Sequence, residues 1–104
     1  MRLSEAILAG IGGTEQGREI FLRIDAQSQE VVECCALGAA ALGAGYDPFQ
    51  EGLSCGMFLD SKFPELWVTY NSPKPGALFN EITERNDSGE SRESIAADLA
   101  RRGL

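Results

Sequence analysis

Cys34-Cys35-Ala36-Leu37-Gly38-Ala39-Ala40-Ala41-Leu42-Gly43-Ala44-Gly45 is the stretch on which the fold turns. It carries no charge, and alanine, leucine, glycine and cysteine are the residue types most often found fully inside proteins. Alanine is also the strongest helix former, and the Gly43-Ala44-Gly45 end is a glycine stop. The stretch therefore predicts a buried helix at the centre of the molecule, with side chains small enough for neighbours to approach closely. Gly38 inside it costs about 1 kcal/mol against alanine unless something packs on it.

Working outward, the segment before this helix changes character. Leu3-Ser4-Glu5-Ala6-Ile7-Leu8-Ala9 reads as a short helix capped by Ser4, with Leu3 and Leu8 as a hydrophobic staple and Gly10 as its end. The four glycines of Gly10 to Gly17 predict a loop. Glu19 to Ile24 is rich in β-formers, with Ile20, Leu22 and Ile24 on one face, and reads as a strand. The run Glu30-Val31-Val32-Glu33 is too short for periodicity to decide, and strand and helix both stay open. After the central helix, Tyr46 to Pro64 reads as irregular, and Leu66 to Tyr70 has strand composition. The segment Asn71-Ser72-Pro73-Lys74-Pro75-Gly76 reads as a turn. Two helices close the chain, one from about Ala77 to Arg85 and one from about Arg92 to Arg102 capped by Ser91. The tight polar turn Asn86-Asp87-Ser88-Gly89 lies between them. The expectation is an α+β fold, predominantly helical with about four helices and a small antiparallel β element, in a single domain over residues 1–104. Leu37, Leu42, Leu78, Phe79, Ile82, Ile95 and Leu99 are the expected core.

Composition narrows function by exclusion. A 43% apolar and 24% charged chain has the balance of an ordinary folded protein, so wholesale disorder is set aside. The net charge of -7 repels phosphate backbones and anionic lipid, which argues against nucleic acid and membrane as partners. The start, Met1-Arg2-Leu3-Ser4-Glu5, lacks the apolar run of a signal peptide, no segment approaches the roughly 20 apolar residues that cross a bilayer, and the protein is expected in the cytoplasm. Three cysteines do not make an even-numbered disulfide framework, and reduced thiols are expected. The absence of histidine removes the usual general base and the commonest metal ligand.

Several motifs come close to chemistry and stop short. Gly12-Gly13-Thr14-Glu15-Gln16-Gly17-Arg18-Glu19 has the two glycines of a phosphate-binding loop, but Arg-Glu stands where Lys followed by Ser or Thr belongs. Cys34 and Cys35 sit near a helix N-terminus, which can lower a thiol pKa, yet without histidine only carboxylates could serve as the base. Cys34, Cys35 and Cys55 lack zinc spacing. Ser91 to Arg102 resembles the first helix of a helix-turn-helix without a second helix or a basic face. Catalytic, cofactor-binding and metal-binding residues are accordingly assigned as none, and no cofactor is expected.

Two segments carry a resemblance. Cys35-Ala36-Leu37-Gly38-Ala39-Ala40, followed by Asn86-Asp87 and Ser91-Arg92-Glu93-Ser94-Ile95-Ala96, resembles a loose family of small uncharacterised bacterial and phage-associated proteins. These share a C-A-L-G-A helix and a C-terminal N-D turn before a helix like S-R-E-x-I-A. The pattern spans about half the chain. In that family a bulky aromatic often follows the alanine and aspartate of the last helix, where this chain has Ala97, Asp98 and Leu99. The resemblance implies a mobile-element setting and a structural role for Cys35, Gly38, Asn86, Asp87 and Ser91, and it adds no activity.

Three functions from different classes follow. The first is a small non-enzymatic interaction or accessory protein, with another protein or a second copy as partner. A homodimer is expected, since Phe21, Trp67, Tyr70 and Phe79 are many aromatic rings for a short chain to cover. The second is a cysteine-dependent enzyme using Cys35. The third is an acidic mimic of nucleic acid that inhibits a DNA- or RNA-binding protein. For the two resembling segments, two arrangements stand open. Either Asn86 or Asp87 accepts a hydrogen bond from a free amide near Cys35 to Gly38, or Asp87 serves its own turn and faces the amides of Ser88 to Arg92.

Overall fold

The computed structural model describes residues 1–50, 52–67 and 76–104. Its elements in chain order are α1 (Leu3–Ile11), β1 (Glu15–Gln16), β2 (Leu22–Ile24), β3 (Val31–Cys34), α2 (Ala36–Gly43), α3 (Cys55–Lys62), a 3-10 turn (Pro64–Leu66), α4 (Ala77–Asp87) and α5 (Arg92–Arg101). The architecture is α+β and mostly helical, with five α-helices among the described residues where about four were expected.

α2 forms as its composition dictates and is held at both ends. Cys35 is its N-cap, with Sγ accepting from the Gly38 amide at 3.3 Å. The C-terminus closes in a Schellman arrangement. Gly45 takes φ 103° and donates its amide to Leu42, while Tyr46 donates back to Ala41. Residues 36–41 are all buried, which makes α2 the axis of the core.

Close approach to α2 is built into three glycines. A Cβ on Gly43 would lie 1.9 Å from the Ala6 carbonyl oxygen, and one on Gly10 would lie 1.7 Å from that of Ala39, so α1 and α2 touch backbone to backbone. A Cβ on Gly38 would lie 2.0 Å from the Phe21 carbonyl oxygen. The packing partner that Gly38 required is therefore the chain just before β2.

The sheet is mixed, which corrects the expected antiparallel element. Its order is β1-β3-β2, with β1 parallel and β2 antiparallel to β3. Val31–Cys34 is the central strand, which decides the open reading of residues 30–33, and it leads directly into the Cys35 cap. β1 lies inside the glycine-rich stretch, where two residues are too few to show a period. The Glu19–Ile24 strand shrinks to Leu22–Ile24, because Glu19 takes φ 61° and breaks the extended run.

Other expectations shift as well. α3 occupies part of the segment read as irregular. Ser54 caps it, accepting from the Met57 amide at 3.1 Å, and Cys55, Phe58 and Leu59 are buried. α1 runs one residue past Gly10, and its first turn is closed by Glu5, whose carboxylate accepts from the Arg2 amide at 3.0 Å, rather than by Ser4. Ser4 is buried, and Leu8 points to solvent, so no Leu3–Leu8 staple forms. Asn86 and Asp87 belong to the last turn of α4 rather than to a loop. Of the expected core, Leu37, Leu78, Ile82, Ile95 and Leu99 are buried, while Leu42 and Phe79 are half-buried. In the expected Leu66–Tyr70 strand, Leu66 closes the 3-10 turn and residues 68–70 lie outside the described residues, as do residues 71–75 of the expected turn. Among the described residues, no helix is long and apolar enough to cross a membrane.

The glycine contacts make a direct prediction. Gly43→Ala should force α1 away from α2 and lower unfolding free energy by about 2 kcal/mol or more, the cost of an overpacked core. Urea denaturation followed by far-ultraviolet circular dichroism measures it.

Candidate functional site: a cleft beside the Asn86 clasp

Asn86 is 1% exposed and uses its full hydrogen-bonding capacity. Its Oδ1 accepts from the Ala36 amide at 3.0 Å, the first free N–H of α2, and from Gln16 Nε2 at 3.0 Å. Its Nδ2 donates to the Gly17 carbonyl at 2.9 Å and to Asp87 Oδ1 at 3.2 Å. One side chain from the end of α4 thus joins α2, β1 and the segment that follows β1. The clasp between the two resembling motifs is this Asn86–Ala36 bond.

Asp87 holds the next residue of the same segment. Its Oδ1 accepts from the Glu19 amide at 3.0 Å, across 68 positions of sequence, so it does not serve its own turn. Two residues on, Cys35 donates its amide to the Phe21 carbonyl at 3.1 Å, where Gly38 leaves room for that carbonyl. Residues 17–21 form a strap pinned at Gly17, Glu19 and Phe21. The positive φ of Glu19 is the left-handed conformation that this pinning maintains. Cys35, Gly38, Asn86 and Asp87 are brought together at the strap. Ser91 lies apart from it and caps α5, accepting from the Ser94 amide at 3.1 Å.

Three residues that sequence reasoning passed over complete the clasp. Gln16 also donates to the Glu90 carbonyl at 2.7 Å and accepts from the Arg92 amide at 3.3 Å. Arg92 is 6% exposed, and its guanidinium donates to the Thr14 carbonyl at 2.8 Å, Thr14 Oγ1 at 2.9 Å, and the Cys34 carbonyl and Sγ, both at 3.2 Å. The Thr14 hydroxyl proton is committed to the Ile11 carbonyl, so in the 3.2 Å contact between Thr14 Oγ1 and Cys34 it is the thiol that donates. Cys34 is fully buried. A signal for Arg92 existed in the sequence: a cation in the first turn of a helix opposes the helix dipole and needs a specific partner to hold it there.

Between the strap, the start of α2 and α4 lies a half-open cleft of about 250 Å3. Ile20, Phe21, Leu37, Phe79 and Ile82 form its apolar walls, and Cys35, Thr83, Asn86 and Asp87 supply polar atoms. Phe79 is fixed by an edge contact with Phe21 at 6.1 Å and by stacking on Trp67 at 4.8 Å. The polar groups are largely occupied by the clasp. Burial pushes the Cys35 thiol pKa up, against the opposing effect of the Gly38 and Leu37 amides, and it pushes that of Cys55 up to about 12. All three cysteines are free thiols, and among the described residues no group of His, Cys, Asp or Glu is placed to hold a metal ion.

On the far side of α4, ion pairs tie it to α5. Arg85 meets Glu81 at 3.1 Å, Asp98 at 2.7 Å and Glu90, while Arg102 meets Glu81 at 2.7 Å and Asp98 at 3.4 Å. The expected Asp98–Arg102 pair is present as one arm of this group. Hydrogen bonds from Arg102 lower the Glu81 pKa, and those from Arg85 lower the pKa of Glu90 and Asp98.

Comparison of the chain with protein-family models, curated proteins and solved structures finds no match.

The ion pairs set the acid behaviour. A carboxylate whose folded pKa is depressed stabilises the fold above its unfolded value and loses that contribution as pH falls through the folded value. The thermal midpoint should therefore stay level from neutral pH down to about 5 and fall below about 4, the ordinary carboxylate range. Arg85→Met should flatten that acid limb. A midpoint series across pH for both proteins checks it, and identical acid limbs would contradict the assignment.

Proposed function

We propose that this chain is a small interaction protein that binds another protein through the cleft beside the strap. One observation carries the reading: the cleft is a preformed apolar recess in which the side chains of Cys35, Asn86 and Asp87 already hydrogen-bond to its walls. A recess of this kind suits recognition, in which apolar walls bind and a few fixed polar groups orient the guest. A bacterial or phage-associated setting and a cytoplasmic location agree with this reading through the motif resemblance and the composition.

The enzyme reading with Cys35 is weaker on the same geometry. Its thiol is in the cleft wall, but the pKa is raised rather than lowered, Sγ is engaged by the Gly38 amide, and the nearby carboxylate of Asp87 is engaged by the Glu19 amide. A cysteine nucleophile needs a thiolate and a free base. The nucleic-acid mimic is also weaker, because Glu33, Glu81, Glu90 and Asp98 are paired with arginines and do not form an uninterrupted ribbon of negative charge.

Two variants separate these functions. Cys35→Ser keeps an N-cap for α2 and should leave folding and partner capture unchanged. Thr83→Phe places a ring in the cleft and should leave the circular dichroism spectrum intact while removing a partner that the unaltered protein captures from its native host. Capture of the same proteins by Thr83→Phe, or rapid alkylation of native Cys35 at pH 7, would contradict the proposal.

A further inference from the structure

The strap is held firmly at its ends and lightly in its middle. Gly17 is buried, donates its amide to the Cys34 carbonyl at 3.1 Å and accepts from Asn86 Nδ2 at 2.9 Å. Phe21 accepts from the Cys35 amide at 3.1 Å and sets its ring edge-on to Phe79. Between these anchors Arg18, Glu19 and Ile20 are exposed, and among the described residues one hydrogen bond holds them, the 3.0 Å bond from the Glu19 amide to Asp87 Oδ1. That bond keeps Glu19 at φ 61°, a left-handed conformation that is costly for most residues with a side chain, easier for Asn and worst for β-branched ones. Glu19 and Ile20 line the cleft together with Cys35 and with Phe79, Ile82 and Thr83 of α4.

We propose that residues 18–20 are a hinged gate of the cleft, with the hydrogen bond from Glu19 to Asp87 as its latch. Breaking the latch lets Glu19 return to a negative φ, so relief of backbone strain offsets part of the lost bond. Ile20 then leaves the cleft wall while Gly17 and Phe21 keep their bonds to Asn86, Cys34 and Cys35. The cleft opens along the strap, and the Cys35 thiol, 9% exposed in the closed form, becomes accessible. A guest that fits the open form better than the closed one shifts the equilibrium toward it. The gate rests on the cleft reading above for its role and on the strap's own bonds for its motion.

Hydrogen exchange and thiol access test the gate without a partner. In the unaltered protein the Glu19 amide should be protected about tenfold or more below the anchoring Gly17 and Cys35 amides, and its exchange should be insensitive to low urea, the mark of local opening. Glu19→Val and Glu19→Asn lose the same charge and keep the backbone bond to Asp87, but differ in how readily they take a positive φ. Alkylation of Cys35 by iodoacetamide, followed by mass spectrometry at one fixed pH, should be about fivefold or more faster in Glu19→Val than in Glu19→Asn. Protection at residue 19 should fall in the same order, with the Gly17 and Cys35 amides unchanged. Asp87→Ala should remove protection at Glu19 while leaving those two anchors protected. A Glu19 amide that exchanges together with Gly17 and Cys35 would overturn the gate, because the strap would then open only on unfolding. Equal alkylation of Cys35 in the two Glu19 variants would overturn it as well, since the strap would then fray without opening the cleft. Neither result bears on capture of a partner by Thr83→Phe, so the cleft reading stands or falls on that separate experiment.

Discussion

The Asn86 side-chain amide is the junction through which the other parts of the structure are aligned. A carboxamide offers two donors and two acceptor sites in one plane, and here each arm serves a different piece of chain. An aspartate in its place would keep the acceptors for Ala36 and Gln16 but would set a buried carboxylate against the Gly17 carbonyl and the Asp87 carboxylate. A glutamine would carry the amide one carbon too far. Because the site is nearly closed to water, losing the amide would leave buried backbone groups without partners, and each such group costs about 1–3 kcal/mol. Asn86 can reach α2 only because α2 itself is thin. Its glycines and alanines let α1 and the strap approach to backbone distance, which brings the first amide of α2 to the end of α4.

This arrangement accounts for the behaviour of the thiols and for the cleft together. Cys34 sits under the guanidinium of Arg92 as a donor to Thr14, and Cys35 caps α2, so both adjacent cysteines have structural roles. The strap that Asn86 and Asp87 pin is also the outer wall of the cleft. On the proposed reading, stability and recognition are coupled in the same few residues, since the polar groups of Asn86 and Asp87 also hold the strap that carries Ile20 and Phe21. The region opposite the cleft depends on solvent-facing ion pairs, which are weak individually and sensitive to acid and salt.

The central helix was legible in the sequence because its composition admits one reading, and the cap at Ser91 followed from local chemistry, whereas the Cys35 cap of α2 was not read from the sequence. The contact between the Asn86-Asp87 segment and the Cys35 helix was one of two arrangements open from sequence. The choice between them depended on whether Glu19 or the local turn would come closer to Asp87, which is a question of tertiary geometry. β1 was illegible because two residues carry no period, and its parallel pairing with β3 is a long-range contact with no local trace. α3 was hidden by Gly56 and by the solvent-facing Met57, which blurred an apolar face at Cys55, Phe58 and Leu59 that the Ser54 cap would otherwise have announced. The part played by Gln16 and Arg92 was harder to see still, since a polar side chain near glycines and a basic one in a helix both pass for solvent-facing residues. The cleft had no sequence signature, because its walls come from segments about 60 residues apart along the chain.

The most direct test of the clasp is the unfolding free energy of Asn86→Ala beside that of Asp87→Ala, measured by urea denaturation with hydrogen exchange at the Ala36 amide. Asn86→Ala should cost about 3 kcal/mol or more, since it orphans the Ala36 amide and the Gly17 carbonyl at once and removes one partner of Gln16 Nε2. Asp87→Ala should cost about 1 kcal/mol, the value of a single cap-like bond. The Ala36 amide of the unaltered protein should exchange only through global unfolding, and in Asn86→Ala it should exchange through local opening. A cost for Asn86→Ala below about 1 kcal/mol, with Ala36 still fully protected, would contradict the central role of this side chain.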